Sequence, residues 1–154
     1  MKVGEICQRN VVTAVPTTGI TEIARIMLQK HVGSVVIVES ETEAKPVGIV
    51  TDRDIVLQVI AENLDPSETK ASDIMTSEVV TTYLSTGILE TMRHMRSHGV
   101  RRIPVVDQNQ KLVGILALDD LIDVIVSELG ELSNTISSGQ YKEKLHRRAV
   151  VEMA

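Results

Sequence analysis

The sequence predicts an α+β fold: two tandem β-α-β-β-α repeats packed sheet to sheet about a pseudo-two-fold axis, with a short C-terminal helix after them. Three observations lead there. The chain of 154 residues matches itself, at an offset of 68 from Ile6/Ile74 through Glu39/Asp107 and of 66 from Val47/Val113 onward. Each copy carries short β-branched runs and stretches of helical apolar spacing in the same order. The apolar 43% is almost wholly aliphatic, with no Phe or Trp and only Tyr83 and Tyr141 as aromatics. A chain of this length buries about 68–70% of the surface its unfolded form exposes, enough for a real core.

Val11-Val12-Thr13-Ala14-Val15 is a short β-prone run stopped by Pro16, and Val79-Val80-Thr81-Thr82-Tyr83 repeats it. Thr17, Thr18 and Gly19, like Ser85, Thr86 and Gly87, then offer helix-start chemistry. Ile20, Ile23, Ala24, Met27 and Leu28 follow the spacing of a helix with one buried face. The counterpart from Ile88 keeps Met92 and Met95 but has Thr91 and Arg96 in place of Ile23 and Leu28, which predicts a narrower buried stripe.

Val35-Val36-Ile37-Val38 and Ile103-Pro104-Val105-Val106 are apolar runs of strand length. Each leads through a polar loop to Pro46–Val50 or Leu112–Leu116 and reads as a hairpin. The change of offset falls in that loop, so the first hairpin is two residues longer at Ser40–Lys45, opposite Gln108–Gln110. A second helix starts at Asp52 with Ile55, Val56, Val59 and Ile60, and its twin from Asp119 carries Leu121, Ile122, Val124, Ile125 and Leu129. Acidic residues in the first turn suit the positive end of the helix dipole.

The expected organisation is repeat 1 over residues 1–62, a linker over 63–72 marked by Asn63, Asp65, Pro66 and Ser67, and repeat 2 over 73–130. Residues 131–154 form a tail, read as a polar break at Ser133–Gly139 and a short amphipathic helix with Lys142, Lys144, Arg147 and Arg148.

Composition excludes several functions. A net charge of −5 argues against a general affinity for nucleic acid or anionic membranes, and the lack of aromatics removes stacking platforms for single strands. No apolar run reaches the ~18–20 residues that span a bilayer. With Cys7 as the only cysteine, no disulfide framework or zinc cluster can form within one chain, and a cytoplasmic location is expected. His94 and His98 stand four apart on a helix without an evident third ligand, so a metal site is not expected. No P-loop and no dinucleotide glycine motif appears, and no nucleophile stands in a recognisable setting, so the expectation is a protein that is not an enzyme.

The stretch Gly48-Ile49-Val50-Thr51-Asp52-Arg53-Asp54 carries the chemistry. Thr51 and Asp54, three apart at a helix start, can face one side of the first turn. A carboxylate there accepts two hydrogen bonds from a cis-diol such as a ribose, and a threonine hydroxyl beside free N–H groups suits a phosphate oxygen. Arg53 adds a charge-assisted contact or points to solvent. Capping alone explains a single such instance; recurrence of the carboxylate at Asp120 weakens that account. Arg101 and Arg102 precede a buried strand, where they can reach an anion on the sister repeat or simply stay solvated. Repeat 1 has Gly33 and Ser34 at those positions, so two anion sites would not be equivalent.

These residues resemble the tandem cystathionine β-synthase (CBS) domain pair, or Bateman module, of the small stand-alone bacterial or archaeal type. The duplicated unit, the Val-Val-Thr strands, His98-Gly99-Val100-Arg101-Arg102-Ile103-Pro104-Val105-Val106-Asp107 and the Gly48–Asp54 segment carry the likeness over roughly residues 1–130. The resemblance implies two clefts between the repeats that bind adenosine-containing ligands. It assigns a ribose-binding carboxylate and a phosphate-contacting hydroxyl to Asp54 and Thr51, and in repeat 2 the carboxylate alone to Asp120, because Ala117 replaces the hydroxyl residue. It places the base against Thr13 to Pro16, through Thr13, Ala14 and Pro16, with Gly48, Ile49 and Val50, and against Thr81 to Leu84, through Thr81 and Tyr83, with Gly114 to Leu116, through Ile115; Pro104 completes the expected nucleotide-binding residues. Arg101 and Arg102 match basic residues that contact phosphate in the family.

The resulting expectation is a non-enzymatic sensor that binds AMP, ADP or ATP and transmits occupancy to an effector protein in trans. S-adenosylmethionine and NADH rank behind these ligands. No cofactor is required, and magnesium accompanies only a polyphosphate. The better site is built from Thr51, Arg53 and Asp54 with Arg101 and Arg102 reaching in. A homodimer through the second helices is expected, with Leu57, Ile60 and Leu121 on its face. The alternative is an interaction or structural dimer whose clefts are vestigial and unoccupied.

Overall fold

The computed structural model describes the backbone of residues 1–152 and the side chains of residues 1–140. It divides into two units, Met1–Leu118 and Asp119–Ala154. The first holds two three-stranded sheets, ordered β1-β2-β3 and β4-β5-β6. β1 (Thr13–Ala14), β2 (Ser34–Val38) and β3 (Pro46–Thr51) form one; β4 (Thr82–Tyr83), β5 (Arg102–Val106) and β6 (Leu112–Ala117) form the other.

The hairpins of the two sheets share one register. β2 pairs antiparallel with β3 from Ser34↔Thr51 to Ile37↔Gly48 before a bulge, and β5 pairs with β6 from Arg102↔Ala117 to Val105↔Gly114 before the same bulge. The outer strands are only two residues long, shorter than the five-residue runs the sequence suggests. Val36 N–H donates to the Val12 carbonyl at 3.0 Å, whereas its counterpart Pro104 has no N–H to offer. Pairing between β4 and β5 accordingly starts one position later, at Thr82↔Val105.

α2 (Ile20–Lys30) and α5 (Ile88–His98) lie where the periodicity placed them. The buried stripe of α2 is Ile20, Ile23 and Met27, while Ala24 is exposed and Leu28 is 74% exposed. On α5, Thr91 stays buried at the position of Ile23 because its hydroxyl is satisfied by the Gly87 carbonyl at 3.1 Å and by Thr82 Oγ1 at 3.3 Å. Thr18 and Thr86 do not cap these helices, whose N-caps are Gly19 and Gly87. They tie the preceding turn instead, accepting from Val15 N–H at 3.2 Å and Tyr83 N–H at 3.3 Å.

Two four-residue helices escape the sequence reading, α1 (Val3–Ile6) and α4 (Ala71–Ile74), each opened by an acidic side chain that accepts from the N-cap backbone, Glu5 from Lys2 and Asp73 from Lys70. Each packs on the repeat it does not precede. Val3 N–H donates to the Thr86 carbonyl and Gly4 N–H to Leu84, both at 2.9 Å. Ala71 N–H donates to Thr18 at 2.8 Å and Ser72 N–H to Pro16 at 3.0 Å. Ala71 and Ile74 belong to the core of repeat 1, with Ile20, Ile23, Val35, Ile37, Val50 and Val59. Past each short helix the chain adds a bridge to the free edge of that sheet, Gln8↔Ile115 and Ile49↔Thr76.

After β3 the chain forms α3 (Asp52–Asp54) and continues as a π-helix over Ile55–Ile60. The second unit is helical throughout its described backbone, as part of α6 (Leu118–Glu152), a single element of 35 residues. The expected polar break at Ser133–Gly139 is therefore absent: three of its hydroxyls turn back onto the helix, Thr135 to the Glu131 carbonyl, Ser137 to that of Ser133 and Ser138 to that of Asn134. The C-terminal helix is continuous with the second helix of repeat 2 and not short. The side chains of Lys142, Lys144, Arg147 and Arg148 lie outside the described residues. Among the described residues, no helix is long and apolar enough to cross a membrane.

Candidate functional site

At the end of β3, Thr51 stops the strand and caps α3 in a reciprocal box. Its Oγ1 accepts from Asp54 N–H at 3.1 Å, and Asp54 Oδ2 accepts from Thr51 N–H at 2.8 Å and from Thr51 Oγ1–H at 2.7 Å. The helix start thus fixes the half-buried carboxylate in one orientation. Asp54 Oδ1 accepts a long contact of 3.3 Å from Gln58 Nε2, which also donates to the Ile74 carbonyl at 3.2 Å.

This carboxylate lines a cavity of about 300 Å³, within the usual size range of small-molecule sites. Repeat 1 supplies Ile49, Thr51, Asp52, Arg53 and Asp54; the chain that leads into repeat 2 supplies Thr76, Glu78, Val79 and Val80; the end of α5 and the start of β5 supply Gly99 to Arg102. Gly99, at φ 65°, closes α5 in the left-handed region and turns the chain so that Arg101 and Arg102 follow at the cavity. Asp52 N–H donates to the Gly33 carbonyl at 3.1 Å. A Cβ built on Gly33 would stand 3.2 Å from Asp52 Oδ2, a tight approach, and 3.6 Å from Arg102 Nη2, an ordinary contact, so Gly33, Asp52 and the arginine of repeat 2 lie close together. The lining therefore combines three guanidinium groups, three carboxylates, and the apolar Ile49, Val79, Val80 and Val100. Cations for an anionic group, a fixed carboxylate for a diol and apolar walls for a flat ring stand around one space.

Of the residues singled out from the sequence, the cavity brings together Ile49, Thr51, Arg53, Asp54, Arg101 and Arg102. It does not include Thr13, Ala14 or Pro16. The sheet order puts β1 on the edge opposite β3, and the edge beside Thr51 is extended by Thr76 from the other repeat. Pro16 instead accepts from Ser72 N–H. Gly48 is covered by Met75, on whose Cβ and Cγ a side chain at that position would close to 3.0 and 2.9 Å, and Val50 is fully buried in the core of repeat 1. Thr81 lies just before β4, and the Tyr83 hydroxyl accepts from Gln110 Nε2 at 2.7 Å beside the second hairpin loop. Pro104 is buried opposite Ile115, and Ile115 exchanges two backbone bonds of 2.9 Å with Gln8. Asp120 opens α6 in the second unit.

The sequence reading missed Asp52, Thr76, Glu78, Val79, Val80, Gly99 and Val100 as lining residues. The Ile49↔Thr76 bridge that delivers half of them joins residues 27 positions apart, with no local pattern to announce it. His94 and His98 meet edge to face with ring centroids 4.6 Å apart, and His98 Nδ1 lies 2.9 Å from the His94 carbonyl. Among the described residues no three His, Cys, Asp or Glu side chains gather for a metal ion.

Known proteins share this architecture. The sequence profile of the CBS domain matches residues 3–60 and 71–127. An uncharacterized protein of Methanopyrus kandleri is 40% identical over 124 residues, which is 80% of this chain and 62% of that one. CBS domain-containing protein YhcV of Bacillus subtilis is 39% identical over 111 residues, covering 72% of this chain and 76% of its own. A CBS domain protein from Pyrobaculum aerophilum complexed with AMP aligns at TM-score 0.74 and 30% identity, over 85% of this chain and 99% of that one. The CBS domain pair of protein MJ0100, in complex with 5′-methylthioadenosine and S-adenosyl-L-methionine, aligns at TM-score 0.74 and 26% identity, over 83% and 98%. The chain belongs to the CBS domain family and carries that domain twice.

Proposed function

We propose that the chain is a non-enzymatic regulatory module whose cavity between the two repeats binds an adenosine-containing nucleotide, AMP, ADP or ATP, and signals occupancy to a partner protein. The observation that carries this reading is the convergence of a preset Asp54 carboxylate from repeat 1 with Arg101 and Arg102 from repeat 2 around one space. The ribose diol donates to Asp54, the phosphate takes Arg53 and the paired arginines, and the base lies on Ile49, Val79, Val80 and Val100. Complexes of similar CBS proteins with AMP and with S-adenosyl-L-methionine support an adenosine ligand.

In repeat 2 alanine stands at Ala117 where repeat 1 has the hydroxyl of Thr51, which makes repeat 2 the weaker phosphate binder. Two modules pair through their second helices, where Leu57 and Ile60 are 46% and 58% exposed; Leu121, at 1%, drops out of that face.

Calorimetry against AMP, ADP, ATP, S-adenosylmethionine and NADH tests the reading. At least one should bind, and saturation at 100 times its dissociation constant should stabilise the fold by about 2.7 kcal/mol. Asp54→Ala should weaken that ligand by roughly 1.5–3 kcal/mol, the contribution of a hydrogen bond to a charged group. Unchanged affinity in the variant would place the ligand elsewhere, and no heat with any compound would sink the reading.

A further inference from the structure

The cavity between the repeats carries as much negative as positive charge. Arg53, Arg101 and Arg102 are matched by Asp52, Asp54 and Glu78, so a ligand meets no surplus of cations. Asp54 is committed to the helix start and, in the reading above, to the ribose diol. Asp52 stands among the groups assigned to the phosphate.

Its position is fixed from several sides. Asp52 follows Thr51 directly, and its N–H donates to the Gly33 carbonyl at 3.1 Å. Its Oδ1 accepts from Arg53 N–H at 2.8 Å, which orients the carboxylate. Its Oδ2 stands 3.2 Å from the point that a Cβ on Gly33 would occupy, and Arg102 Nη2 stands 3.6 Å from the same point. The carboxylate oxygen and the guanidinium nitrogen are therefore within about 7 Å of each other, inside the ~8 Å screening length of physiological salt. An anion that reaches Arg102 comes under the field of Asp52 as well.

We propose, resting on the nucleotide reading above, that Asp52 is a specificity residue that limits the charge the cavity accepts, so that a nucleoside monophosphate is preferred to the di- and triphosphate. A phosphate monoester carries about −1.5 to −2 charges near neutral pH, which Arg53, Arg101 and Arg102 hold in spite of Asp52. Each further phosphate adds negative charge while the lining adds no cation, and the Asp52 carboxylate repels the part that lies along Arg102. Contacts to base and ribose are the same for all three ligands and cannot tell them apart. An unmatched like charge can, because it acts against the competitor alone. The cavity volume of about 300 Å³, at the lower end of the range for small-molecule sites, works in the same direction.

Calorimetry with AMP, ADP and ATP tests this, in EDTA and about 10 mM salt, where the screening length is about 30 Å. The unaltered chain should bind AMP about tenfold more tightly than ATP, or more. Asp52→Asn keeps an oxygen that can accept from Arg53 N–H. It should bind all three more tightly by a factor that grows with ligand charge, about threefold or less for AMP and about tenfold for ATP. A change of shape would move the three affinities by one factor. At about 1 M salt, where the screening length is about 3 Å, the gain should vanish. Glu22→Gln, which removes an exposed carboxylate of α2 outside the cavity, should leave all three affinities unchanged. ATP bound as tightly as AMP by the unaltered chain, or an Asp52→Asn variant with the same AMP-to-ATP ratio as the unaltered chain, would take this role from Asp52 and leave the nucleotide reading standing. Binding of none of the three would overturn that reading, and the role of Asp52 with it.

Discussion

Gly48 and Gly114 show what a repeated glycine records. An added Cβ at Gly114 would stand 2.9 Å from Cys7 Sγ and 3.1 Å from the Gln8 carbonyl, and one at Gly48 would overlap Met75. Cys7 and Met75 are equivalent residues, each just past a short helix that has crossed to the other repeat. The family resemblance made this glycine a contact for the base, and its close approach to Met75, like that of Gly114 to Cys7, adds a packing reason for its recurrence that only the folded molecule reveals. Alanine at either position should destabilise by about 1–3 kcal/mol, the range for forcing extra volume into a packed site, as measured by urea unfolding. A change below about 0.3 kcal/mol would mean that the crossing yields freely. Thr51, Asp54, Arg101 and Arg102, which line the cavity, could be singled out for the opposite reason, since they sit in short local motifs. What remained hidden was Glu78 and its neighbours, which contribute through a distant bridge.

Among the elements, those with a period or a continuous apolar run were legible: α2, α5 and the four hairpin strands. α1 and α4 were not, because four residues make barely one turn and present no stripe. α6 was misread as two elements since Ser133–Gly139 has the composition of a loop, and intrinsic propensity gave no hint of the helix. The ends of α2 and α5 differ in an instructive way. Gly99 holds the left-handed position after α5, and His31 holds it after α2 at φ 54°. Only glycine takes that conformation without steric cost, which for another residue is about 1–2 kcal/mol. His31→Gly should therefore raise stability by about 0.5–1 kcal/mol after its greater unfolded-state entropy is subtracted. Urea midpoints of the two proteins check this, and a lower midpoint for the variant would show that the His31 side chain stabilises the turn by more than its backbone conformation costs.

For the molecule, the crossing of α1 and α4 means that the halves of the sequence are not the halves of the fold. Ile74 precedes the strands of repeat 2 in sequence, yet it lies in the core of repeat 1 at 4% exposure, beside Ile20, Ile37 and Val59. Val3 precedes the strands of repeat 1 and is fully buried where the backbone bonds to Thr86 and Leu84 of repeat 2. Neither sheet keeps its core or its edge partner if the other repeat opens. Ile74→Ala should consequently cost about 2–5 kcal/mol, the loss from truncating a buried isoleucine, and the cost should be shared. Native-state hydrogen exchange separates the cases, because amides in β2 and β5 report the opening free energies of the two sheets. Interlocked repeats lower both by the same amount. A drop confined to β2 would show that repeat 1 opens alone, and a drop confined to β5 would show that Ile74 acts on the repeat it precedes. The same coupling bears on the cavity, whose walls come from both repeats: a ligand that binds Asp54 and the two arginines at once should raise the opening free energy of β2 and β5 together.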